Sequence, residues 1–199
     1  MKAIIGMLVG LILLLWSVRP VNAGGIVGTV TAKGAKNGGD AVIYIENVPG
    51  KTFPAPKEHP LMDQKHMTFV PHVLPVLAGS TVDFLNSDDV LHNVFSPDKC
   101  ADKFNLGSWP KGKTKSYTFK EAGCTATLLC NVHPEMEGYI VVLENPYFAV
   151  SAKDGRYDIK DVPAGKYTLK IWHERLKGKD VIVDVPEKGH VTVDFEIHR

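Results

Sequence analysis

Alternation of apolar and polar residues with a period of two runs through most of the chain, and helical periodicity is nearly absent. Near the C-terminal end Val191, Val193, Phe195 and Ile197 share one face, while Thr192, Asp194, Glu196 and His198 share the other. That is the pattern of a strand with one buried side. Tyr167, Leu169 and Ile171 alternate with Thr168, Lys170 and Trp172 in the same way. The Gly- and Asn-rich segment Lys33–Asp40 joins two short strands lying between Val30 and Asn47. Asp154-Gly155 and Pro163-Ala164-Gly165 carry hairpin-type turn chemistry. The pattern predicts an all-β protein built of sandwiches.

The first residues depart from this pattern. Lys2 precedes an uncharged run from Ala3 to Val18, somewhat shorter than the about 20 apolar residues that span a membrane. Val21-Asn22-Ala23 is close to a small-x-small cleavage site. Residues 1–23 are read as a signal peptide, with an uncleaved anchor as the alternative. The mature chain then starts at Gly24 and is exported, to the periplasm or the extracellular space, with no stable membrane insertion after cleavage. Pro49, Pro54, Pro56 and Pro60 interrupt the strands that follow, and Asn145-Pro146 punctuates again further on. These breaks predict a domain at 52–145. The flanks, 24–51 plus 146–199, are each poor in strands or short, and together they form one discontinuous β-sandwich. The rival arrangement is two consecutive domains, with the first flank pairing into the central one.

Composition narrows the function. In 199 residues, 23 Lys and Arg face 22 Asp and Glu. The apolar content and near-cancelling charge exclude a disordered chain and give no footprint for nucleic acid. No Ser-His-Asp arrangement, paired carboxylates, P-loop or dinucleotide fingerprint is present, which argues against an enzyme. Cysteine is more telling. There are three, at positions 100, 124 and 130, and an exported chain keeps its disulfides. The odd thiol needs protection, and ligation to a metal provides it.

Cys130, His133 and Met136 have C-x2-H-x2-M spacing in a short loop between two strand-like segments. A thiolate, an imidazole and a thioether are thereby gathered around one point. His92 follows the polar turn Asn86-Ser87-Asp88-Asp89 and opens another strand. Two His nitrogens and a Cys sulfur with a weak, long Met ligand make a copper electron-transfer site. Zinc and iron–sulfur sites usually use more thiolates or none.

His92-Asn93-Val94 together with Cys130–Met136 resembles the cupredoxins, or blue copper proteins, and the short ligand loop is amicyanin/plastocyanin-like. The resemblance covers roughly Met62 to Leu143. It implies a Greek-key β-sandwich with one copper ion, cycling between Cu(I) and Cu(II), at one end. By the same resemblance His92, Cys130 and His133 are equatorial ligands and Met136 is axial. Asn93 ties the first ligand's loop to the cysteine loop, and His133 is the solvent-side electron port. The implied function is electron transport by a type 1 (blue) copper protein, with partners such as a cytochrome c or a dehydrogenase. A copper chaperone or store, and a surface scaffold or adhesion protein with a structural metal, are the alternatives.

The flanks, through Gly28-Thr29-Val30, Asp154-Gly155-Arg156-Tyr157 and Val162–Tyr167, resemble carboxypeptidase-regulatory-like (prealbumin-like) sandwiches. Cys100 and Cys124 either form a disulfide or join Cys130 and His133 in a Cys3His zinc site. His59, Met62, His66 and Met67 either make a second, weaker Cu(I) site or, as preferred here, divide into a solvated histidine and methionines packed on the sandwich. Trp172-His173-Glu174-Arg175 either faces the copper domain or caps a sheet edge, the second being preferred. Phe104–Trp109 either lays apolar surface around the electron port or belongs to the core.

Overall fold

The computed structural model describes residues 23–199; the expected signal peptide lies outside them save for Ala23. The chain begins with β1 (Ala23–Ala32) and β2 (Val42–Ile45). Its middle forms β3 (Leu61–Lys65), β4 (Thr68–Val70), β5 (Val73–Leu77), β6 (Ser80–Asn86), β7 (His92–Phe95), β8 (Asn105–Trp109), β9 (Thr114–Phe119), β10 (Cys124–Leu129) and β11 (Glu137–Leu143). It ends with β12 (Phe148–Val150), β13 (Arg156–Pro163), β14 (Gly165–Trp172), β15 (Val181–Val185), β16 (His190–Thr192) and β17 (Phe195–Ile197). Among the described residues the helical content is one 3-10 turn, Lys99–Ala101. No helix there is long and apolar enough to cross a membrane.

Strands β3 to β11 make a sandwich of two sheets, ordered β4-β3-β6-β9 and β5-β11-β10-β7-β8. Alternation sets its core: Val82 and Phe84 of β6 point inward, as do Ala126 and Leu128 of β10, meeting Met62, Phe69, Phe119 and Ile140. β10 and β11 are antiparallel from Cys124↔Val142 to Leu129↔Glu137, so residues 130–136 form the loop between them. β7 runs beside β10, with Leu129 opposite Phe95. The start of β7 and the end of β10 therefore meet at one end of the sandwich.

The remaining strands form β13-β1-β16, with β17 also on β1, and β12-β2-β14-β15. β2 pairs with β12 and β14, and Ile26, Ile43, Ile45, Ile159, Leu169 and Phe195 fill a second core. Local expectations shift here. The C-terminal strand is split between Thr192 and Phe195, although its pairing with β1 keeps one register on both sides. The cause is close approach: a Cβ on Gly28 would lie 1.8 Å from the Val193 carbonyl oxygen, and the Thr29 N–H turns to donate to the Asp194 carboxylate. The turns at Asp154-Gly155 and Pro163-Ala164-Gly165 are tight but do not join neighbouring strands. Each carries the chain from one sheet to the other.

A third apolar cluster lies where the two sandwiches meet. Val42, Val73, Val141 and Leu143 are buried in it, with Tyr44, Tyr139, Phe148 and Trp172 packed around them. The Trp172 ring lies 5.4 Å from that of Tyr139, and Glu174 Oε2 is 3.2 Å from His72 Nε2. Trp172-His173-Glu174-Arg175 thus packs on the central sandwich and does not simply cap a sheet edge. The outer face of the β12-β2-β14-β15 sheet is covered only where it meets the central sandwich, so the face of β14 that reads as solvent-facing ends on a partly buried contact at Trp172. Burial, reinforced by the Glu137 and Glu174 carboxylates, raises the Tyr139 phenol well above its ordinary value. His173 accepts the Arg175 and Leu176 N–H groups through Nδ1, and burial lowers its pKa.

Candidate metal centre

His92, Cys130 and His133 converge at the end of the central sandwich, each offering one donor atom within 4.8 Å of the others. His92 opens β7 opposite Trp109 of β8 and is fully buried. Cys130 follows the last residue of β10 and is also buried, the free cysteine among the described residues. His133 sits at the half-buried crest of the loop. The Met136 N–H donates to the His133 carbonyl at 3.0 Å, closing a tight turn that returns the chain to β11. Met136 is buried in the same cluster as Cys130 and Phe69.

Asn93 connects the two ligand segments. Its backbone N–H points at Cys130 Sγ from 3.5 Å, and its side-chain oxygen accepts the Asn131 N–H at 3.2 Å. Its amide nitrogen donates to Asn105 Oδ1 and to the Gly107 carbonyl, at 2.9 and 3.0 Å. One buried side chain therefore fixes the His92 strand, the cysteine loop and β8 together.

Asp88 does similar work on the other side of His92. Its Oδ2 lies 2.9 Å from His92 Nε2 and also accepts the Met67 N–H at 2.9 Å, while Oδ1 accepts the His66 N–H at 2.7 Å. Burial acts to raise the Asp88 carboxyl, but the bonds from Met67, His92 and His66 outweigh it and hold the group at about 2. Sequence reasoning gave Asp88 no role. The signal available was a carboxylate four residues before a candidate ligand, in a polar turn.

The donor set suits a soft or borderline transition metal. His92 Nδ1 and His133 Nδ1 are 3.1 Å apart, and Cys130 Sγ is 4.0 Å from His92 Nδ1. With Nε2–H committed to Asp88, His92 Nδ1 carries a lone pair directed at the centre. Two imidazole nitrogens this close must share a proton or a cation, and the cysteine sulfur beside them completes a donor set for a metal cation. The residues present therefore fit a copper ion.

The other candidates separate cleanly. Cys100 and Cys124 are disulfide-bonded with Cα atoms 5.7 Å apart, so a Cys3His zinc site lacks two of its thiolates. His59, Met62, His66 and Met67 do not assemble: Met62 is fully buried in the core, and His59 pairs with Asp83 at 3.0 Å. Met67 is 49% exposed on the β3–β4 turn, not packed on the sandwich, because the turn projects it outward. Phe104 and Trp109 are core residues.

A family profile described as copper binding proteins of the plastocyanin/azurin family matches residues 59–143. No curated protein matches the chain. Similar solved structures include a Cu(I) amicyanin point mutant, 28% identical, covering 44% of this chain and 85% of its own, with a TM-score of 0.41. A purple cupredoxin from Nitrosopumilus maritimus is 24% identical over 42% of this chain and 98% of its own, with a TM-score of 0.38. A Cu-containing nitrite reductase from Thermus scotoductus SA-01 is 24% identical over 51% of this chain and 25% of its own, with a TM-score of 0.42.

Proposed function

Residues 59–143 belong to the cupredoxin family, and from that premise we propose that the protein is an exported type 1 copper protein that carries single electrons between redox partners. The observation that carries this reading is the convergence of a buried thiol with two imidazoles. His92, Cys130 and His133 hold the ion, with Met136 as a fourth, weaker ligand from the same loop. A copper ion held there supplies one-electron chemistry between Cu(I) and Cu(II).

The chain's own residues keep that exchange fast. Cys130 and His92 are anchored by adjacent strands, and Asn93 locks the loop, so the donors move little between oxidation states. His133, half-buried at the crest, is the ligand through which a partner such as a cytochrome c or a dehydrogenase makes electronic contact. A fourth ligand from the chain leaves no open position for a substrate, which favours a carrier over an enzyme. The Cys100–Cys124 disulfide agrees with an oxidising compartment such as the periplasm. The pairing of β1 with β13, β16 and β17 and of β2 with β12 and β14 supports a discontinuous outer module, 24–51 plus 146–199, with the copper unit 52–145 inserted in it.

The test is electron self-exchange of the copper-loaded protein, followed by NMR line broadening in mixtures of oxidised and reduced forms. Rapid exchange with copper retained is the expected result. Slow exchange with ready transfer of copper to a competing chelator would mark a copper store or chaperone and overturn the carrier.

A further inference from the structure

Asp88 takes three donors that come from two distant parts of the chain. Two are backbone N–H groups at the β3–β4 turn, where His66 and Met67 both have positive φ, 55° in each case. Asn, Asp and His are enriched at such angles and glycine adopts them freely, whereas a methionine rarely holds one unaided, so Met67 is the residue the clamp has to hold. The third donor is the Nε2–H of His92, a ring with no solvent exposure. Asp88 is itself held, its N–H donating to Asn86 Oδ1 at 2.9 Å, and Asn86 is anchored on the carbonyls of Val90 and Trp109.

We propose that Asp88 is a positioning residue of the metal centre: its carboxylate fixes the ring orientation and tautomer of His92, so that Nδ1 meets the ion as a strengthened donor. The proposal rests on the copper reading given above. A metal-bound imidazole whose second nitrogen donates to a carboxylate is oriented and made more basic by it, and loss of such a partner costs about 10–100-fold in metal affinity. A more basic nitrogen favours Cu(II) over Cu(I). Removing the carboxylate therefore weakens Cu(II) binding more than Cu(I) binding and raises the reduction potential, by about 59 mV for each tenfold difference.

Asp88→Asn tests this directly. Whichever way its amide turns, the variant has no charge and one acceptor oxygen in place of two, so His92 loses the carboxylate that makes its ring more basic. Because the same change frees the β3–β4 turn, it is also made with His66→Asn and Met67→Gly, a pair that adopts positive φ without a clamp. In the metal-free wild type, imidazole 1H–15N spectra should show His92 protonated at Nε2 and slow to exchange; in both Asp88→Asn proteins that signal should be lost or exchange rapidly. With copper, both should bind Cu(II) about 10–100-fold more weakly and have a raised potential. An unchanged His92 signal and potential would overturn the proposal. So would effects that vanish in the Asn-Gly background, because Asp88 would then act through the turn alone. Failure of the wild type to form a thiolate–copper chromophore would overturn the copper reading instead, leaving the metal-free spectra to judge Asp88.

Discussion

Asn93 makes four polar contacts from a nearly buried position, and truncating it leaves the Asn131 N–H and the Gly107 carbonyl without that partner. Asn93→Ala should cost the metal-free protein about 1–3 kcal/mol in denaturant unfolding. It should also weaken copper about 10–100-fold in a chelator competition. Asp83 gives a pH signature away from the centre. The Ser116 hydroxyl, against opposing burial, and His59 hold its carboxyl below the ordinary value. A depressed folded value means the stabilisation is present above about pH 4 and is lost as pH falls through the folded pKa. Asp83→Asn should therefore cost about 0.2–1 kcal/mol at pH 7, the contact being partly exposed. The gap from wild type should close on acidification in thermal melts. At this scale the candidate ligands were legible because loop spacing keeps Cys130, His133 and Met136 together whatever the fold. Asp88 was not, since its contact with the His92 ring depends on how the polar turn folds back, and the hairpin tip that holds its carboxylate lies more than twenty residues earlier in sequence.

Elements hold the ligand loop in place from both sides. Gly138 sits where β11 begins, and a Cβ there would lie 2.8 Å from the Cβ of Phe69. Gly138→Ala should push β4 from β11 and cost about 1–3 kcal/mol, read in denaturant unfolding. At the far end of β10, the Cys100–Cys124 bridge closes a separation of 24 residues. Replacing both cysteines by serine should destabilise the metal-free protein by about 3 kcal/mol while the loaded protein keeps its visible spectrum. Strand identity was legible wherever one face is buried, as in β6 and β10. The break after Thr192 was not, because it is imposed by Gly28 and the Asp194 carboxylate, a contact between segments far apart in sequence that alternation does not encode.

At the scale of the molecule, two sandwiches share an apolar seam in which Trp172 meets Tyr139 and Glu174 meets His72. Trp172→Ala should uncouple them, so that calorimetry of the metal-free protein shows two transitions or a broadened one in place of a single cooperative unfolding. The seam escaped sequence reasoning for a physical reason: on β14, Thr168 and Lys170 read as a wet face, and only the arrival of β5 and β11 covers part of Trp172 on that face. Ligation of copper by Cys130 between His92 and His133 is decided by optical and EPR spectra of the protein loaded with Cu(II), beside Cys130→Ser. The wild-type protein should show an intense visible thiolate-to-copper band with narrow copper hyperfine splitting, both absent from the variant. A wild-type protein that binds Cu(II) without that band, or a Cys130→Ser protein that keeps it, would rule out the thiolate as the copper ligand.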